Sequence, residues 1–137
     1  MEGIWYNELG SKMIIDSIND GQIIGNYETT VGSAQGLYTL SGRTEKNVKS
    51  QENQSIGWVV VWDNEITNNN CVTSWSGQLQ EIEGEEVIHA YWMLTIETVP
   101  GSNWKSTLIG YDTFKRTIPT ASVINKHVNS RSVSHPL

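Results

Sequence analysis

Only one cysteine, Cys71, occurs in 137 residues, which excludes an intrachain disulfide and a cysteine-based metal cage. Histidine is scarce too: His89, His127 and His135 are scattered and lack the spacing of a metal-ligand set. Basic residues are outnumbered, 9 Lys and Arg against 15 Asp and Glu, and the net charge is -6. That balance disfavours nucleic acid and anionic membrane as partners, since both need clustered positive charge. It is read as a solubility feature. No run of about 18 apolar residues exists, so no helix is expected to span a membrane. Prolines number 3 and the charged fraction is 18%, which argues against disorder. Met1 leads directly into Glu2-Gly3-Ile4-Trp5, without the basic and apolar regions of a signal peptide. The chain therefore reads as either cytosolic or a mature secreted domain. Its length suits a single domain with its own core.

Helical periodicity is also lacking. Short β-branched and aromatic runs alternate instead with turn signals. Eight strands are expected, over residues 3–7, 13–18, 23–29, 37–43, 57–62, 71–80, 87–98 and 105–115. A hairpin turn is signalled at Asn19-Asp20-Gly21, and a small-residue loop at Val31-Gly32-Ser33-Ala34. Residues 46–55 read as an exposed polar loop. Within it, Asn53-Gln54-Ser55 fits a glycosylation acceptor that has meaning only in a secretory context. The acidic stretch from Glu81 to Glu86 reads as a solvated hairpin end. Short connections favour sequential antiparallel pairing, giving either an up-and-down barrel or a sandwich. A barrel of eight strands would hold one small ligand. After Pro119 the chain turns polar and aperiodic, the composition of a flexible tail.

Phenylalanine occurs once, yet there are 6 tryptophans. Residues two apart in a strand share a face. With Trp75 inward, Cys71, Thr73 and Gly77 point inward with it. Inward Trp92 brings Ile88, Ala90 and Leu94. Leu108, Gly110 and Asp112 share one parity, as do Ile23, Gly25, Tyr27 and Thr29, and Trp5 with Asn7. One face thus carries flat aromatics beside hydroxyls, an amide and a carboxylate. Buried polar groups are costly without partners, so this face looks built to hold a ligand. The opposite face of the last two strands carries Tyr91, Met93, Ile109 and Tyr111. It is too apolar for a wall facing water and implies a second copy of the chain.

The ordered segments Gly3-Ile4-Trp5-Tyr6-Asn7-Glu8-Leu9-Gly10-Ser11, Gly25-Asn26-Tyr27-Glu28, Thr73-Ser74-Trp75-Ser76-Gly77-Gln78, Trp92-Met93-Leu94-Thr95 and Trp104 through Phe114 resemble the avidin/streptavidin family. The similarity runs from Gly3 to about Ile118. It implies an all-β, eight-stranded antiparallel up-and-down β-barrel over residues 1–118, followed by a polar C-terminal tail over 119–137. It further implies non-catalytic, high-affinity biotin binding, with biotin a bound ligand and no catalytic cofactor or metal. By resemblance, Asn7, Ser11 and Tyr27 match the donors to the ureido oxygen, and Thr29 and Asp112 the acceptors for its N–H groups. Thr73 matches the hydroxyl near the thioether. Trp62, Trp75 and Trp92 match the aromatic box, with Leu9, Val31, Leu94 and Leu108 completing the wall. Trp104 matches a tryptophan lent to a neighbouring subunit, which implies a homo-oligomer, a tetramer above all; the family resemblance as a whole implies a secreted setting.

At the pocket mouth the chain departs from the family: Cys71 and Ser33 stand where streptavidin-type members carry a serine and an asparagine that hold the ligand's carboxylate tail. A thiol is a weak donor. Other readings are an interaction domain that kept the barrel but lost its ligand, a lipocalin-type carrier and a barrel glycosidase. The last needs two facing carboxylates, whereas the inward faces offer Asp112 alone.

Overall fold

The structure, a computed structural model, describes residues 1–29, 36–46, 53–63 and 70–130, the last four by their backbone only. Eight strands follow in chain order: β1 (Gly3–Tyr6), β2 (Lys12–Asn19), β3 (Gln22–Thr29), β4 (Gly36–Thr44), β5 (Asn53–Val61), β6 (Cys71–Ile82), β7 (Glu85–Ile96) and β8 (Thr107–Lys115). Each pairs antiparallel with the next and β8 returns to β1, closing an up-and-down barrel. Closure joins the first strand to the last, so the barrel, not the sandwich, is the architecture. Among the described residues no helix is long and apolar enough to cross a membrane.

Local chemistry sets the tightest connections. In the β2–β3 hairpin Asn19 pairs with Gln22, which leaves Asp20 (φ 54°) and Gly21 (φ 82°) as a two-residue loop. In the β6–β7 hairpin Ile82 pairs with Glu85, and Glu83 (φ 53°) and Gly84 (φ 79°) form the loop. Two consecutive left-handed residues match the right-handed twist of the flanking strands, which is why Asp-Gly and Glu-Gly sit there. The acidic stretch is thus the hairpin end expected of it. On β3, Gly25 lies directly over the Ile14 carbonyl, where a Cβ would collide. The adjacent bulge between Ile15 and Ser17 bends the sheet at the same place.

Period-two alternation holds through the sheet. Trp5, Tyr27, Trp58, Trp62, Trp92 and Phe114 are all buried in one core inside the barrel. The seam between β1 and β8 is thin, with a single paired position, Tyr6 with Lys115. Arg116 staples it. Its guanidinium stacks 3.7 Å above the Trp5 ring, donates to the Glu2 carbonyl at 2.8 Å and meets Glu86 at 3.0 Å.

Several elements differ from the sequence reading, β6 ending at Ile82 and β7 running Glu85–Ile96 among them. Strand β5 starts at Asn53, not Gly57, so Asn53-Gln54-Ser55 is strand and not loop, paired with Gln80, Leu79 and Gln78. The long β6–β7 hairpin supplies that extra partner edge. A short 3-10 turn, Asn103–Lys105, precedes β8, which consequently begins two residues later than expected. Beyond Pro119 the chain forms a helix, α1 (Ala121–Ser130), where an aperiodic tail was expected. Thr120 caps it: the Val123 N–H donates to Thr120 Oγ1 at 3.3 Å, and the Ile124 N–H to the Thr120 carbonyl at 3.0 Å. This N-cap was the signal hidden by the polar composition. Residues 131–137 lie outside the described residues, as do 30–35, 47–52 and 64–69.

Candidate functional site

The floor of the lumen is the turn that joins β1 to β2. Asn7 Oδ1 accepts the backbone N–H groups of Leu9 (3.0 Å) and Ser11 (2.9 Å). The backbone closes the same turn, from Asn7 N–H to the Ser11 carbonyl and from Gly10 N–H to the Asn7 carbonyl, each at 3.1 Å. Asn7 is therefore the turn-former its Asx chemistry suggests. Committing Oδ1 to the turn also fixes the amide's orientation: Nδ2 points inward and donates to Tyr27 Oη at 3.3 Å. Ser11 Oγ lies 3.4 Å from Thr29 Oγ1 on the neighbouring strand. One short turn thus presents an amide and a hydroxyl beside a phenol and a threonine.

Across the lumen, Trp75 Nε1 donates to Asp112 Oδ2 at 2.9 Å, and Trp62 Nε1 to Thr73 Oγ1 at 2.8 Å. Both indoles are thereby held edge-on to their polar partners. Asn7, Ser11, Thr29, Thr73 and Asp112 are the buried polar residues among those described, each at most 2% exposed. The rings interlock. Tyr27 stacks on Trp75 with centroids 5.3 Å apart and meets Trp62 edge-on at 5.6 Å. Trp92 pairs with Trp75 on the adjacent strand and packs against Gly110: a Cβ there would fall 2.5 Å from its Cε2 and 2.9 Å from its Cη2. Leu94 is buried in the same core as the rings, Leu108 is half-buried against it, and Leu9 is buried on the floor turn.

The structure thus gathers Asn7, Leu9, Ser11, Tyr27, Thr29, Trp62, Cys71, Thr73, Trp75, Trp92, Leu94, Leu108 and Asp112 on the inner face of one barrel. Trp104 is not among them: it sits on the 3-10 turn, 83% exposed. Val31 and Ser33 lie outside the described residues. Cys71 is inward and buried, and burial pushes its thiol above the usual value of 9.0. It also borders a rim recess of about 500 Å³ shared with Asp63, Asn70 and Glu97.

Other residues support the site without having been singled out for it. Phe114 meets Tyr27 and Trp58 edge-on at 6.4 and 5.6 Å, and Trp58 stacks on Trp75 at 5.4 Å, nearly parallel. The inward parity of Asp112 extends to Phe114, so that signal was available. Glu8 gave none. Its Oε2 accepts the Thr113 N–H at 3.1 Å, tying the floor turn to the strand that carries Asp112. Only the closure of β8 onto β1 brings residues this far apart in sequence together.

The family model described as the Avidin family matches residues 1–117 of this chain. Avidin-related protein 4/5 of Gallus gallus is 32% identical over 119 residues, 85% of this chain and 77% of that protein. Avidin of Gallus gallus is 28% identical over 122 residues with the same coverage. Fibropellin-1 of Strongylocentrotus purpuratus is 30% identical over 118 residues, 85% of this chain. The chain spans only 11% of Fibropellin-1's length. With strand order, buried polar set and sequence match in agreement, the chain belongs to the Avidin family.

Proposed function

We propose that this chain binds biotin without catalysis. The ureido oxygen accepts from Asn7, Ser11 and Tyr27, and the ureido N–H groups donate to Thr29 and Asp112. One observation carries the reading: an amide, a phenol, two hydroxyls and a carboxylate are buried together inside an aromatic lumen. These groups are held in place by one another and by Trp75, and a cyclic urea, one strong acceptor flanked by two donors, matches their arrangement. The carboxylate end makes a charge-assisted bond, the stronger kind, and the surrounding indoles exclude competing water. Thr73 then faces the thioether. Trp62, Trp75 and Trp92, with Leu9, Val31, Leu94 and Leu108, enclose the bicyclic ring, and Ser33 and Cys71 stand at the carboxylate tail. Biotin is a bound ligand here, not a catalytic cofactor.

Self-association completes the proposal. Tyr91 is 72% and Tyr111 61% exposed on the outer wall of β7 and β8, their rings 6.3 Å apart, beside exposed Met93 and Ile109. A continuous apolar patch of this kind suits a second copy. Trp104, exposed on the 3-10 turn, would reach a neighbour's pocket. A homotetramer in a secreted setting is the form that family membership favours.

Thermal unfolding with and without biotin tests the binding. A ligand at a hundred times its dissociation constant stabilises the native state by about 2.7 kcal/mol, so the transition should rise by several degrees. An unchanged transition in saturating biotin would leave the interaction-domain reading in its place.

A further inference from the structure

Helix α1 lies beyond the span of the family match, yet it touches the floor of the site. Ile124 is half-buried, whereas Val123, Asn125 and Lys126 around it are exposed. Its side chain rests on Gly10: a Cβ added there would lie 3.0 Å from Ile124 Cδ1 and 3.7 Å from Cγ1. Gly10 has φ +82°, a conformation that already favours glycine. It stands between Leu9 and Ser11, the two residues whose N–H groups Asn7 Oδ1 accepts. The Thr120 cap holds the start of the helix in place. The same stretch, Pro119, Thr120 and Val123, borders an outer groove of about 510 Å³ with Tyr6, Asn7 and Glu8.

We propose that Ile124 is a positioning residue for the ligand floor. Its aliphatic side chain covers the outer side of the β1–β2 turn and excludes the water that would compete for the turn's four hydrogen bonds. A turn so covered opens less often. Each opening would release Asn7 Oδ1, free the amide to rotate and disperse the donors that face the ureido oxygen. Ile124 touches no ligand; it acts through Gly10. The proposal rests on the biotin reading for its effect on ligand release, but its structural half does not.

The test uses the full chain carrying Ile124→Ala or Ile124→Leu. Amide hydrogen exchange at Leu9 and Ser11 is measured by NMR without ligand, and biotin dissociation is measured on the same proteins. Ile124→Ala should accelerate exchange at those two amides and the release of biotin, each about fivefold, a typical scale for a residue acting on a site at second hand. Ile124→Leu should restore both rates, while exchange in the β6–β7 ladder stays at its native rate. Native exchange rates at Leu9 and Ser11 in Ile124→Ala would overturn the proposal. So would an equal acceleration throughout the barrel, which would mark Ile124 as a general stabiliser. If the unsubstituted protein ignores biotin, the functional reading fails, and the exchange data still decide the role of Ile124.

Discussion

Gly110→Ala reaches the binding wall through a single methyl group. Gly110 pairs with Trp92 across β7 and β8, and the indole crosses directly over it. The added Cβ would meet Cε2 at 2.5 Å and Cη2 at 2.9 Å, with Cζ2 closer still. Ordinary contact begins near 3.4 Å, and a fused ring has no flexible end to yield. The indole must therefore move by about an ångström as a body, within a packed interior. Overpacking of this kind costs about 1–3 kcal/mol, against which the stiffer unfolded chain returns about 0.4–1 kcal/mol. A net loss of about 1–2 kcal/mol lowers the melting temperature by roughly 4–8 °C for a domain of this size. The displaced ring intrudes on the lumen, so biotin should dissociate at least about tenfold faster, the equivalent of about 1.4 kcal/mol. Gly57→Ala is the control: among the described residues its added Cβ meets only the Trp75 carbonyl, at 3.3 Å, and stability should stay within about 0.5 kcal/mol. Melting followed by circular dichroism and displacement of a fluorescent biotin give the two numbers. Native melting and native release in Gly110→Ala would refute the packing argument.

The remaining predictions concern the mouth, the seam and the outer wall. Because burial raises the Cys71 pKa above 9.0, the thiol is neutral at pH 7. Its contribution to stability is complete below pH 9.0 and is lost as pH climbs through the raised value. Maleimide labelling of Cys71 should accordingly be slow at neutral pH, quicken above pH 9, and be blocked by biotin; labelling indifferent to biotin would place the thiol outside the pocket. Cys71→Ser, which restores a stronger donor, should slow biotin release, and an unchanged or faster rate contradicts that. Glu8→Ala removes the acceptor of the Thr113 N–H and should cost about 1 kcal/mol. Glu8→Gln keeps an acceptor oxygen and should recover most of it, whereas equal losses in both would show that the hydrogen bond contributes nothing. Tyr111→Glu places a charge in the apolar outer patch and should shift sedimentation from oligomer to monomer. An unsubstituted chain that already sediments as a monomer removes the basis for that patch.

The fold was legible because its determinants are local and repetitive. Parity alone placed Thr73, Trp75, Trp92 and Asp112 on one face, since a pleated strand turns successive side chains to opposite sides. Asp20-Gly21 marked its hairpin because few residue pairs accept two left-handed positions in a row. Helix α1 was missed because its cap, Thr120, lies in a stretch whose polarity resembles loop composition. The early start of β5 was missed for a different reason: whether Asn53 joins a sheet depends on how far the β6–β7 hairpin extends, not on Asn53 itself.

The sequence by itself determined the strand count, the inward aromatic and polar set, and the family, because each depends on residues near one another or on their order. Tertiary structure alone decided the rest. Closure of β8 onto β1 set Glu8 against Thr113, and the return of α1 set Ile124 against Gly10. Those contacts join residues 105 and 114 positions apart, and no periodicity in a chain encodes a distance that only three-dimensional closure creates.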